Sequence, residues 1–111
     1  MVNMKDISRV NYYIEIFPGA NIWVMSKNII QAKIYWNRIK EYLNGLKIKP
    51  YFISDKTIDG LSSQQAIILL CGQWYFNSLS EDNIFKQHLS SSLITIPIGE
   101  VPTPKIFIKK Y

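Results

Sequence analysis

Six apolar residues, Ala66-Ile67-Ile68-Leu69-Leu70-Cys71, run without a break in the middle of the chain. A strand with one wet face alternates apolar and polar side chains, so a continuous run of this length demands cover on both of its faces. The sequence therefore predicts an α/β domain in which this run is an interior strand. The run stops at Gly72, and Trp74, Tyr75 and Phe76 follow almost at once. That corner is either the lip of a binding site or the turn by which a small domain passes from strand to helix.

A chain of 111 residues is sized for one domain, 1–111. Folding would bury about two thirds of its unfolded surface. With 48% hydrophobic and 14% aromatic residues it can build a core without metal or disulfide staples. The single cysteine, Cys71, excludes an intramolecular disulfide and reads as a small buried hydrophobe, in keeping with a reducing, cytoplasmic setting. No apolar run approaches the roughly 18–20 residues that cross a bilayer. The opening stretch MVNMKDISRVNYY has no apolar block of signal-peptide length. The expectation is a soluble cytoplasmic protein (host-cell cytoplasm if viral) with no membrane partner.

The formal net charge is +5, and eleven of the thirteen basic residues are Lys. Such a balance favours anionic partners, nucleic acid or nucleotides among them. The same Lys excess, with abundant Ile and Asn, is also what AT-rich coding writes. With only Arg9 and Arg38, base-edge reading is disfavoured, because bidentate Arg is its commonest tool.

Along the chain, YYIEIF (12–17) is rich in aromatic and β-branched residues and predicts a strand. PGAN then offers a type II turn, with Pro18 pre-setting φ and Gly19 taking the positive φ, and IWVM (22–25) predicts a second strand, so a β-hairpin is expected. Ile29, Ala32, Trp36, Ile39, Leu43 and Leu46 recur at helical spacing, with Ser26 or Asn28 as N-cap and Gly45 at the C-cap. A short strand follows at 51–54, then a polar loop, then the interior strand. Ser80 is expected to cap a helix through Leu89, with Leu79 stapled against Ile84. Strands at 93–98, broken by Pro97, and at 105–109 complete the order β-β-α-β-β-α-β-β. This predicts a mixed sheet with parallel central strands, α+β being the competing arrangement.

In an open parallel sheet, ligands bind outside the carboxyl ends of the strands. Four such ends are expected: Ser26-Lys27-Asn28, Ser54-Asp55-Lys56, Gly72-Gln73-Trp74 and Gly99-Glu100. At the first, helix-start amides with Ser26, Lys27 and Asn28 could hold a phosphate. At the third, Gly72 permits close approach, Gln73 carries a donor and an acceptor, and Trp74 and Tyr75 offer faces for stacking; the competing use of those rings is to seal the core. The geometric expectation is that Gly72, Gln73 and Trp74 lie beside Ser26 and Lys27. Lys33, Lys40, Lys47, Lys49, Lys105, Lys109 and Lys110 would form one basic patch if the last strand lies near the end of the long helix.

Neither GxxxxGK[ST] nor GxGxxG occurs, and metal-ligand spacing is absent, so no cofactor and no metal are expected. His88 has Ile84 and Ser92 at i−4 and i+4 rather than a carboxylate. Asp55 and Asp59 in the polar loop read as turn residues. No catalytic residue is assigned and an enzyme is not expected.

The pieces IWVMSKNIIQAKIYW, PYFIS, DGL and IILLCGQW, about half the chain from Ile22 to Tyr75, resemble a pattern in small phage-encoded α/β proteins: strand, helix, extended segment, Asp-Gly-Leu, and a strand ending in Gly-x-Trp. The resemblance implies a viral or mobile-element origin and no particular activity. The same skeleton is similar to the segment after the phosphate loop of helicase and packaging motors, without the loop itself. The expected function is a small binding protein acting on nucleic acid, a nucleotide-bearing ligand or a host protein that handles one. The alternatives are an assembly protein working through contacts with host or viral proteins, its exposed KIFIKKY strand adding to a partner's sheet, and, third, a small nucleotide-processing enzyme. Homo-oligomer formation is left open by the sequence.

Overall fold

Burial at Asp6, Ile7 and Val10 marks one helical face near the start of the chain, and Asn3 caps it by accepting the Lys5 N–H at 2.9 Å. In the computed structural model, which describes residues 3–44, 48–53 and 63–99, this segment is helix α1, Met4–Ile16. The strand expected at 12–17 is thus the last turns of α1, and no hairpin forms. Aromatic and β-branched residues gave a local strand signal, but the helical spacing of Ile7, Val10 and Ile14 decides which side faces the sheet. The turn itself is as expected: Gly19 has φ +86° and the Ala20 N–H donates to Phe17 O at 3.1 Å. It joins a helix to a strand.

The remaining elements are β1 (Asn21–Met25), α2 (Ile29–Ile39), β2 (Pro50–Phe52), β3 (Ala66–Cys71), α3 (Asn83–Ser91) and β4 (Ile94–Ile98). The strands form one sheet in the order β2-β1-β3-β4, and each described pairing is parallel. The domain is therefore α/β. The antiparallel partners expected at its margins are absent from the described sheet, since 12–17 is helical and 105–109 lies outside the described residues.

The alternation of β1 and β3 splits the core in two. Ile22 and Val24 of β1 and Ile67, Leu69 and Cys71 of β3 meet α1 and α2 through Val10, Ala32, Trp36 and Ile39. Trp23 and Met25, with Ala66, Ile68 and Leu70, face the other way toward Phe85 of α3, Leu79 and Trp74. Every residue of β3 is buried, so the unbroken apolar run is an interior strand under helices on both sides. The α2 crossover carries the chain one way along the sheet and the α3 crossover the other. Crossovers of one hand that run in opposite directions lay their helices on opposite faces, as found here.

Several local expectations are corrected. α2 ends at Ile39 and passes into a 3₁₀ turn, Lys40–Tyr42. Ile29 is 36% exposed, whereas Ala32, Trp36, Ile39 and Leu43 are buried as the spacing predicts. Leu46 and Gly45 lie outside the described residues. Asp82, and not Ser80, caps α3, accepting from the Ile84 and Phe85 amides at 2.8 and 3.4 Å. Ser80 sits in the preceding 3₁₀ turn and donates to Tyr75 O. Ile84 is 47% exposed, so it does not staple to the buried Leu79. Pro97 does not break β4; its carbonyl faces out from the edge and accepts from Arg9 at 3.0 Å, a side on which a missing N–H costs nothing.

Candidate functional site

The strand order reverses between β1 and β3, because the chain leaves β1 toward β2 and leaves β3 toward β4. Their carboxyl ends flank the crevice where doubly wound sheets take ligands. Ser26 follows β1 and is 1% exposed; its hydroxyl donates to Cys71 O at 2.9 Å, tying the two strand ends together. Asn77 closes the same corner from the far side, its amide donating to Ser26 O at 3.0 Å. Of the residues expected beside Ser26 and Lys27, Gly72 and Gln73 line one crevice with them, whereas Trp74 turns into the core on the other face of the sheet.

An open crevice of about 330 Å³ lies at this corner, lined by Ser26, Lys27, Gln31, Tyr35, Gly72 and Gln73. Among the described residues its walls carry one cation and no carboxylate. α2 begins beside it, so the positive end of the helix dipole adds to the Lys27 charge. Asn28 is the N-cap of α2, its side chain accepting from the Gln31 N–H at 2.9 Å. Ser26 and Asn28 thus act first in the fold, while Lys27 and Gln73 are exposed.

The aromatics of the corner divide. Trp74 is 5% exposed and belongs to the core under α3, Tyr75 is half-buried with its ring edge-on to Trp74 at 6.0 Å, and Phe76 is 63% exposed. Trp74 accordingly offers little face to a stacked ligand. Sequence order could not separate three adjacent aromatics, because a 3₁₀ turn points each in a different direction.

Tyr35 is the crevice residue that sequence reasoning missed. Its ring lies across the ends of β3 and β4: a Cβ on Gly72 would fall 2.3 Å from the Tyr35 hydroxyl oxygen, and one on Gly99 would fall 3.2 Å from the ring. Gly72 and Gly99 also hold φ of +55° and +81°. The Arg38 guanidinium lies 5.9 Å from the centre of the ring. The available signal was that two apolar strands each end in glycine, as a bulky group resting on both exits requires. Of the other strand ends, Gly99 donates its N–H to Asp6 Oδ2 at 3.1 Å, and 54–56 and Glu100 lie outside the described residues.

Of the seven lysines expected in the basic patch, Lys33, Lys40 and Lys49 are described. Lys33 stands over the Phe52 ring at 5.7 Å and Lys40 follows α2. Lys49 precedes β2, at the end of the sheet opposite the crevice. Lys47, Lys105, Lys109 and Lys110 lie outside the described residues. A larger cavity of about 500 Å³ opens at that opposite end, but its walls are chiefly apolar, Ile14, Phe17, Ile48 and Ile67 among them.

His88 Nδ1 lies 3.1 Å from Ser63 Oγ, which is 2.6 Å from Ser91 Oγ. Ser63 is 2% exposed, and the imidazole packs edge-on to Trp23 at 5.1 Å. The trio ties the last turn of α3 to the segment leading into β3. Among the described residues no cluster of three His, Cys, Asp or Glu could hold a metal, and no helix is long and apolar enough to cross a membrane. Fold and crevice together define a doubly wound α/β domain with a polar, cationic opening at its switch point. No family model, curated protein or solved structure matches the chain.

Proposed function

We propose that the protein is a small non-enzymatic binding protein for a nucleotide-bearing ligand, held by its phosphate end in the crevice between β1 and β3. One observation carries this reading: the crevice lies where the strand order reverses, and among the described residues its lining pairs Lys27 with neutral polar groups and no acid. An anion entering there meets an ammonium, the start of α2 and amide side chains, all of which favour negative charge. At about 330 Å³ the opening is at the small end of ligand sites and suits part of a nucleotide, the remainder lying in solvent or on the rim.

The test is calorimetric titration with ATP at low and at physiological salt. Binding should weaken as salt rises, and Lys27→Ala should weaken it about tenfold at low salt with an unchanged melting temperature. Absence of ATP binding at low salt would overturn the reading and bring forward assembly through protein contacts, for which size-exclusion chromatography with light scattering is the direct assay.

A further inference from the structure

Seating a tyrosine across two strand exits takes two glycines, and both are held at positive φ. The ring lies against that backbone, with the Arg38 guanidinium 5.9 Å from its centre. Its hydroxyl stands over Gly72 in the lining of the crevice, and it makes no hydrogen bond to another described residue. Ser26, the other hydroxyl in the lining, already donates to Cys71 O. Among the described residues the Tyr35 donor has no acceptor, and a phosphate oxygen entering the cationic opening would supply one.

We infer that Tyr35 is the orienting contact of this site, its hydroxyl donating to a phosphate oxygen of the ligand whose charge Lys27 balances. The inference rests on the nucleotide-binding reading above and deepens it by fixing which end of the ligand enters. Phosphate oxygens accept hydrogen bonds and carry negative charge, whereas a nucleoside offers the same two groups no charge to hold. Gly72 and Gly99 are then part of recognition, because a side chain at either would lift the ring from its seat.

ATP, inorganic triphosphate and adenosine are the probes, titrated into the wild-type chain and into Tyr35→Phe and Lys27→Ala. Tyr35→Phe removes one oxygen and leaves the ring seated, so its melting temperature should stay unchanged while ATP and triphosphate each bind about tenfold more weakly. The ¹³Cζ resonance of Tyr35, assigned by its loss in Tyr35→Phe, should move when either phosphate ligand is added. Unchanged ATP affinity in Tyr35→Phe alongside weakened binding in Lys27→Ala would overturn the role of Tyr35 and leave the nucleotide reading standing. Adenosine binding as tightly as ATP would overturn the phosphate-first orientation. Failure of the wild-type chain to bind ATP or triphosphate would remove both.

Discussion

Trp74 fills core volume beneath α3 with Phe85 and Leu79, so truncating it leaves a cavity there. Trp74→Ala should cost about 3–5 kcal/mol, the usual range for an emptied aromatic site. The expected signature is a lower melting temperature with ATP affinity per folded molecule preserved, measured by thermal denaturation and calorimetry on the same variant. Intact stability with lost affinity would return Trp74 to the site. Cys71 is decided by similar reasoning. Burial, and then the nearby Asp6 charge, push its thiol up from 9.0 to about 12. Since the thiolate is the reactive form, Cys71 is inert near neutral pH despite lying one residue from the crevice. The sequence placed both residues at the correct strand end; which way each points depends on a single turn around Gly72.

At the scale of elements, capping separates what was legible from what was not. Asp82→Ala should destabilise the protein by about 1 kcal/mol, because it strands two amides of α3, whereas Ser80→Ala loses one hydroxyl bond within a 3₁₀ turn. Urea denaturation of the two variants checks the order; equal or reversed losses would contradict the boundary at Asn83. The acidic residue beside the expected cap was visible in the sequence, but not the short 3₁₀ turn that moves the helix start. β3, β1 and α2 were legible because burial on two faces or one stripe writes a regular pattern. α1 was misread because its aromatic second half was taken apart from its first, and Asn3, Ile7 and Val10 carry the helical register. Tyr35 was missed because it stands at the edge of the stripe of Ala32, Trp36 and Ile39, where it reads as one more core residue, and its use depends on glycines far away in sequence.

For the whole molecule, the order β2-β1-β3-β4 brought together at one crevice segments that the sequence could place only one by one. Continuity of β3 marked it as interior, yet nothing local in the chain states that β1 is its neighbour. The same arrangement governs how the chain finds its structure. Ile22 and Ile67 stand opposite each other, though all of α2 and β2 lies between them in sequence. Every described ladder is parallel, so none can begin as a tight hairpin, and each must close a long loop before its contacts offset the lost entropy. Refolding followed by stopped-flow fluorescence should accordingly take on the order of milliseconds or longer, and a phase completed in about 10 μs would contradict the topology. Leu69, in the ladder that both halves share, should be felt early: Leu69→Ala should slow refolding, while Phe85→Ala, on one crossover, should chiefly speed unfolding. The junction that flanks the crevice is thus also the longest loop closed by any described ladder, and a newly made chain acquires that crevice only when this search has ended.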